Sequence, residues 1–229
     1  MTNLLSLAPA RRHIFAIAGA LFVLAGCSGM IGPGPAPQLY LLHPHFSAID
    51  DAPQVNWTVS VAMPATVDSL DTQRIALTRP PTQMDYFANA AWTDRAPVLV
   101  QGLLVEAFEA SGRIVSVARE AEGLSSDYVL QTDLRDFDAE YDQANAPPNV
   151  TVRIEAKLIK YPERTITAST EVRQQVRAQA NDMNSMVMAF NQATGTALTQ
   201  VARWSIQAPT GTLPPAMPGP LRHHRRHRR

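Results

Sequence analysis

Residues 149–177 read NVTVRIEAKLIKYPERTITASTEVRQQVR, and this stretch determines the fold class. Apolar side chains alternate with Thr, Arg, Glu and Lys through residues 150–158, and the alternation returns through residues 166–176. A period of two places alternate side chains on opposite faces of a strand, so one face is buried and the other is in contact with water. The Tyr-Pro-Glu-Arg turn at residues 161–164 joins the two strands as an antiparallel hairpin.

Residues 128–141 predict a third long strand that contains an irregularity. The apolar positions Leu130 and Leu134 change parity at Phe137. One extra residue in a strand has this effect, so we predict a β-bulge near Arg135. Shorter strands are predicted at residues 40–43, 57–63, 74–78 and 113–118.

Two stretches have the apolar spacing of helices. The first begins where Thr93 or Asp94 can cap it and ends at Ser111 and Gly112. The second covers residues 182–206. Together with the strands, they predict an α+β fold of two layers, in which two amphipathic helices pack on one face of a mostly antiparallel sheet.

The N-terminus has the charge and apolar order of an export signal. Two arginines precede an apolar run at residues 14–24, which is too short to span a bilayer core of about 30 Å. Leu24-Ala25-Gly26-Cys27 resembles the lipobox of bacterial lipoproteins, which implies cleavage between Gly26 and Cys27 by signal peptidase II. Cys27 would then carry diacylglycerol and an N-acyl lipid; no other cofactor and no disulfide are predicted, because Cys27 is the only cysteine. An ordinary secretory signal with an incidental cysteine is the alternative.

Composition divides the chain into four segments. They are a signal peptide at residues 1–26, a lipidated cysteine with a Gly- and Pro-rich tether at residues 27–38, an α+β domain at residues 39–207, and a disordered, Pro-rich and basic tail at residues 208–229. Between the basic ends, thirteen Lys and Arg stand against all twenty Asp and Glu, a net charge of −7, which argues against nucleic acid as a partner. The Arg- and His-rich end of the tail either binds anionic lipid head groups or cell-wall polymers, or is dispensable.

No catalytic motif occurs, so the sequence predicts a protein without enzymatic activity. It contains no G-x-S-x-G, P-loop or H-E-x-x-H pattern. His43 and His45 could offer two imidazoles to a metal ion, but no Cys or carboxylate cluster accompanies them, which favours a solvated strand end and no metal site. Met183 and Met186 belong to the apolar stripe of the second helix and are assigned to the core in preference to a lipid-binding groove.

A series of acidic residues lies along the predicted strand at residues 128–141 and continues to residue 142. Its carboxylates could bind calcium if they converged, but alternate positions of a strand stand about 7 Å apart. We therefore interpret the series as a charged strand face that discourages edge pairing. Its members are Asp133, Asp136, Asp138, Glu140 and Asp142.

Several segments, in this order, resemble the ABC-type transport auxiliary lipoproteins, which serve lipid transporters that contain MCE domains. The resemblance implies a docking subunit whose partners are an MCE-domain periplasmic protein and its ABC permease and ATPase. It also implies that the system moves phospholipids or other hydrophobic substrates between the inner and outer membranes. Besides the lipobox, the matching segments are Tyr40-Leu41-Leu42, Leu70-Asp71-Thr72-Gln73-Arg74-Ile75-Ala76-Leu77, Trp92-Thr93-Asp94-Arg95-Ala96-Pro97, Leu99-Val100-Gln101, Leu103-Leu104, Asp127-Tyr128-Val129-Leu130 and a final helix that ends near Trp204.

The resemblance also bears on location and contacts. Ser28 follows the lipidated cysteine, which implies the periplasmic side of the outer membrane in preference to the inner membrane. Arg74 and Arg95 are candidates for partner contacts, because a charged residue beside a core-packing segment is either paired internally or displayed. The lipid anchor makes the membrane a further partner, and assembly into a homo-oligomer stays open. Two other functions stay open as well: an independent structural lipoprotein of the cell envelope and a direct lipid-binding carrier.

Overall fold

Nine strands and two α-helices lie within residues 36–79, 82–143 and 146–210, which a computed structural model describes. The strands are β1 Gln38–Tyr40, β2 Thr58–Val61, β3 Ala65–Thr66, β4 Arg74–Arg79, β5 Gln83–Trp92, β6 Ser116–Arg119, β7 Tyr128–Glu140, β8 Asn149–Lys160 and β9 Thr165–Arg177. The helices are α1 Ala96–Ser111 and α2 Met183–Gln207, and short 3-10 helices lie at Glu120–Glu122 and Ala208–Thr210. All nine strands belong to one sheet.

The hairpin predicted at residues 149–177 is confirmed. β8 and β9 pair antiparallel along their length and are joined at residues 161–164. β7 pairs antiparallel with the other edge of β8, and its register shifts between Leu134 and Asp136. This shift confirms the bulge predicted near Arg135, and it explains why Phe137 faces the same buried side as Leu134.

The prediction of a mostly antiparallel sheet is wrong, because the sheet is mixed and largely parallel at its core. β2, β3 and β4 pair in turn with the start, middle and end of β7, and all three run parallel to it. The pairs β1–β5 and β2–β6 are also parallel, whereas β4–β5 is antiparallel. Parallel neighbours need a crossover connection, and the chain between β5 and β6 makes one through α1. The alternation at residues 149–177 carries no information about the direction of these short strands.

β5 lies outside the predicted strands because its pattern is irregular. Its register against β4 jumps between Arg74 and Ala76, which pair with Ala91 and Tyr86. Asn89, inside the bulged stretch, has a φ of 56°, a left-handed conformation that interrupts a regular strand. The alternation of apolar and polar residues is therefore not regular along β5, and the sequence predicts no continuous strand there.

Both helices cover the sheet face that carries the apolar residues of β7 and β8. α2 contacts β8 and β9, and α1 contacts α2, β2 and β6. At the centre, the ring of Phe190 on α2 lies 5.0 Å from that of Trp92 and 5.1 Å from that of Phe137. Trp92, Ile75 and Leu77 are all buried. Aromatic rings at these separations add to the stabilisation that burial provides.

The helix ends are partly as predicted. The cap predicted at Thr93 or Asp94 is wrong: α1 is capped by Arg95 without a side-chain hydrogen bond, and Asp94 Oδ1 instead accepts from the Arg95 backbone N–H at 2.7 Å. Gly112 ends α1 in the left-handed conformation, with φ of 59°, which confirms the predicted end. Asp182 caps α2 by accepting from the Ser185 N–H at 2.9 Å.

Several predicted features lie outside the described residues. They include the signal peptide, the lipobox with Leu24, Ala25, Gly26 and Cys27, most of the tether, and residues 211–229. Within the ranges that the structure describes, no helix has the length and apolar character that crossing a membrane requires.

Candidate functional site

The acidic series of β7 lies on the sheet face opposite the helices, where basic side chains neutralise it. Arg135, the residue at the bulge, lies 2.9 Å from Asp133 and 2.8 Å from Glu155. Arg153 Nε donates to Asp136 Oδ2 at 2.7 Å. Since β7 is paired on both edges, the interpretation that these charges discourage edge pairing is wrong. They form cross-strand ion pairs instead, which align neighbouring strands.

Asp138 differs from the rest of the series because it is buried. It lies where β4 joins β7, and its Oδ2 accepts a hydrogen bond from Thr78 Oγ1 at 2.5 Å. Burial raises the pKa of this carboxyl, and the hydrogen bond from Thr78 opposes that change. Asp138 is therefore part of the junction between β4 and β7.

The two arginines proposed for partner contacts each have an internal partner. Both Oδ atoms of Asp71 accept from Arg95 Nη1 at 2.8 Å, which ties the turn before β4 to the start of α1. Arg74 lies with its Cζ 3.7 Å above the ring of Tyr86. Half of the Arg95 side chain nevertheless remains exposed. Each arginine is therefore held in place by an internal contact before any partner binds it.

His43 and His45 are exposed, and both line an open cavity of about 510 Å³, called here the histidine cavity. It lies between residues 43–47, the end of β9 and the N-terminal half of α2. None of the described residues that line it is Asp or Glu. Its polar lining includes His43, His45, Arg177, Ser185, Asn191 and Gln192.

Gly195 on α2 allows residues 43–45 to approach the helix. A Cβ atom at this position would collide with the backbone carbonyl oxygen of His45. Asn191, one turn earlier on α2, accepts from the backbone N–H of His43 at 2.7 Å through its Oδ1. These two contacts fix the wall of the histidine cavity against the helix.

Sequence reasoning missed the α2 side of this cavity. The apolar stripe of α2 is core, as predicted: Met186 is buried, and Met183 is half-buried against the core. Met188 instead is 63% exposed and lines the cavity. Asn191 acquires its role only because residues 43–45 lie beside it, and no local pattern signals a contact over 148 positions.

A second cavity, of about 380 Å³, has mixed charge. Its lining includes Asp133, Glu155 and Lys157. Hydrogen bonds from Arg135 and then from Lys157 lower the pKa of Glu155, so its carboxylate is already neutralised by cations. Among the residues that the structure describes, no group of three or more His, Cys, Asp or Glu side chains could hold a metal ion.

Two exposed apolar side chains lie at the N-terminal edge of the sheet. Leu39 is 59% exposed and Leu41 is 55% exposed, at alternate positions in and directly after β1. Between them, Tyr40 packs against the core and its register partner is Trp92. The chain segment that enters the fold therefore presents apolar side chains to its surroundings.

The sequence and the structure both match known proteins. The profile of the family described as ABC-type transport auxiliary lipoprotein component matches residues 40–202. Protein XCC0632 from Xanthomonas campestris, of family DUF330, is 27% identical, with a TM-score of 0.71 over 76% of this chain and 97% of that one. An uncharacterised protein of known crystal structure is 16% identical, with a TM-score of 0.58 over 73% of this chain and 97% of the other, and supports the fold alone. No curated protein matches the chain.

Proposed function

The chain belongs to the ABC-type transport auxiliary lipoprotein component family, and from this premise we propose that it docks an MCE-domain lipid transporter to a membrane of the cell envelope. The match over residues 40–202 carries the proposal. It begins in β1 and ends in α2, so it takes in the sheet and both helices. The folded domain as a whole is thus the auxiliary component, and the partner and substrate are the proposed part.

The lipid anchor limits where docking takes place. Members of this family are lipoproteins, and we assign the lipid to Cys27. Gln38, the start of β1, is the eleventh residue after Cys27, and a fully extended chain between the two spans about 40 Å. The start of the domain at Gln38 therefore lies within about 40 Å of the lipid head groups. Ser28 supports the outer membrane as that surface, with the domain in the periplasm.

The described surface supports docking over chemistry. Asp133 and Asp136 of β7 are engaged by arginines, and the two candidate arginines are held by Asp71 and Tyr86. Such fixed side chains present a preformed surface, which costs little entropy when a partner binds. Leu39 and Leu41, next to the tether, place apolar surface on the side where the chain comes from the membrane.

The carrier alternative finds less support in the same residues. A carrier must enclose acyl chains in an apolar cavity. The face between helices and sheet is instead filled by mutually contacting rings of Trp92, Phe137 and Phe190. The cavities near His43 and near Asp133 are open to solvent, and polar side chains share their linings with apolar ones. If the chain is a direct lipid carrier, native mass spectrometry of the full chain should detect a bound phospholipid.

Crosslinking in cells that express the transporter tests the proposal. Affinity purification of the tagged full chain should recover an MCE-domain protein together with its permease and ATPase. The matched control is Cys27→Ala, which leaves the folded domain unchanged and removes the proposed anchor; recovery should fall with membrane association. If the wild-type protein is membrane-bound and the transporter is expressed but never recovered, the docking proposal is wrong.

A further inference from the structure

We propose that the histidine cavity binds a phosphate ester, with the phosphate held by His43, His45 and Asn191. The inference does not depend on the transport partner, because it rests on the geometry and charge of the cavity alone. At about 510 Å³, the cavity is within the range of small-molecule sites, about 300–1,000 Å³. It is therefore large enough for a phosphate together with its organic substituent.

The cavity lining lacks the acidic side chains that predominate in the rest of the domain. Twenty acidic residues outnumber thirteen basic ones between the basic ends of the chain. Yet the described residues of the lining include Arg177 and two histidines, and neither Asp nor Glu. Two carboxylates lie beyond the lining: Asp142 is paired with Arg177 at 2.7 Å, and Asp182 accepts from Ser185 at the helix N-terminus. Arg177 is thus partly neutralised, which leaves the histidines and amides as the main donors.

Asn191 is oriented as a hydrogen-bond donor. Its Oδ1 accepts from the backbone N–H of His43, so the remaining polar group of the side chain is the NH₂, which can only donate. No intramolecular hydrogen bond engages the imidazoles of His43 and His45 or the amides of Gln179 and Gln192 within the described residues. A phosphate offers several acceptor oxygens, so it can bind N–H donors that have no acceptor within the protein.

The apolar side of the cavity suggests the substituent. Val176 and the exposed Met188 share the lining with the donors, and a methionine side chain adapts to irregular apolar groups. An ester that carries a carbon chain would cover both, whereas inorganic phosphate would cover neither. The phosphate can come from a phospholipid head group or from a soluble phosphate ester, and the choice of probe distinguishes them.

Asn191→Asp tests the site without removing its structural contact. An Asp side chain can still accept from the His43 N–H, but it replaces the donating NH₂ by a negatively charged oxygen. The matched control is Gln200→Glu, which adds the same charge to an exposed position of α2 and keeps an acceptor for Gln174 Nε2. Circular dichroism should show that both variants are folded.

Calorimetric titration of the full chain in non-ionic detergent, at fixed ionic strength, provides the readout. The probes are glycerol 3-phosphate, dihexanoylphosphatidate and, as the neutral comparison, dihexanoylglycerol. We expect wild type and Gln200→Glu to bind both phosphate esters, and Asn191→Asp to bind at least about tenfold more weakly, which corresponds to about 1.4 kcal/mol. Tighter binding of phosphatidate indicates a lipid head group, and equal binding of glycerol 3-phosphate indicates a soluble ester; both support the site.

Three results would overturn the inference. They are no saturable binding of either phosphate ester by wild type, equal binding of dihexanoylglycerol, and unchanged affinity in Asn191→Asp. Should Asn191→Asp be misfolded, the double variant His43→Gln with His45→Gln replaces it, because both imidazoles are exposed. None of these results bears on recovery of the transporter, so this inference can fail while the docking proposal stands.

Discussion

Thr78 Oγ1 donates a hydrogen bond to Asp138 Oδ2 across the parallel junction of β4 and β7. Asp138 is 8% exposed, and its burial raises the carboxyl pKa more than the hydrogen bond lowers it. Because the pKa of Asp138 is higher in the folded than in the unfolded state, its contribution to the stability of the fold is fully present at pH values below the unfolded-state pKa. It is lost as the pH rises through the folded pKa. The junction is therefore strained electrostatically at neutral pH.

Asp138→Asn should stabilise the protein at neutral pH. The amide keeps an oxygen that accepts from Thr78 and removes the buried charge, so the gain over wild type should be present at pH 7 and shrink at pH 4. Urea unfolding at both values measures it. Asp138→Ala is the comparison: it leaves the Thr78 hydroxyl without an acceptor and should destabilise by about 1–3 kcal/mol. A gain for Asp138→Asn that is larger at pH 4 would contradict the argument.

Arg135→Ala should raise the pKa of Glu155, which is lowered in the wild-type protein. The hydrogen bond from Arg135 is the largest cause of the lowered Glu155 pKa, followed by that from Lys157. A carboxyl whose pKa is lowered by folding stabilises the folded protein at pH values above its unfolded-state pKa. This stabilisation is lost as the pH falls through the folded-state pKa. Carbon-13 NMR of the side-chain carboxyl should show the Glu155 pKa rising in Arg135→Ala, and rising less in Lys157→Ala. The reverse order would mean that the bulge does not place Arg135 as described.

Two glycine substitutions in helices should have opposite effects. Gly195→Ala adds a Cβ against the His45 carbonyl and should destabilise by about 1–3 kcal/mol through overpacking. Gly102→Ala, in α1, meets only the end of the flexible Arg119 side chain at 3.3 Å and should stabilise by up to about 1 kcal/mol through helix propensity. Thermal unfolding of both variants measures the difference. A stabilised Gly195→Ala would show that residues 43–45 do not lie against α2.

Local sequence pattern predicts the parts of this fold that local physics determines. The hairpin, the bulge beside Leu134 and the end of α1 at Gly112 each depend on neighbours within a few residues, and each is confirmed. The direction of β2, β3 and β4 against β7 depends instead on a crossover through α1, which short strands do not encode. The candidate site has the same limitation, since the wall of the histidine cavity joins His43 to Asn191.

The Arg95–Asp71 pair separates a structural role from a role in partner binding. Both side chains are more than a third exposed, at 50% and 37%, so solvent screening limits the pair to about 0.2–1 kcal/mol of stability. Arg95→Ala and Asp71→Ala should therefore destabilise the domain by similar small amounts in denaturant unfolding. If Arg95 also contacts the transporter, only Arg95→Ala should reduce recovery of the MCE-domain protein. Equal recovery from both variants would limit Arg95 to its internal contact.

Cys27→Ala tests the premise on which the location of the domain depends. The thiol is the only one in the chain, so the variant leaves no other cysteine for diacylglycerol. We expect no incorporation of labelled palmitate and release of the protein from membranes, because two or three acyl chains at about 0.8 kcal/mol per buried CH₂ provide the attachment. Ser28→Asp is the matched variant: it keeps the lipid and should move the protein to the inner membrane if the outer membrane is its destination. Palmitate incorporation or unchanged membrane association in Cys27→Ala would refute lipid anchoring at this residue, and with it the limit of about 40 Å between Gln38 and the bilayer.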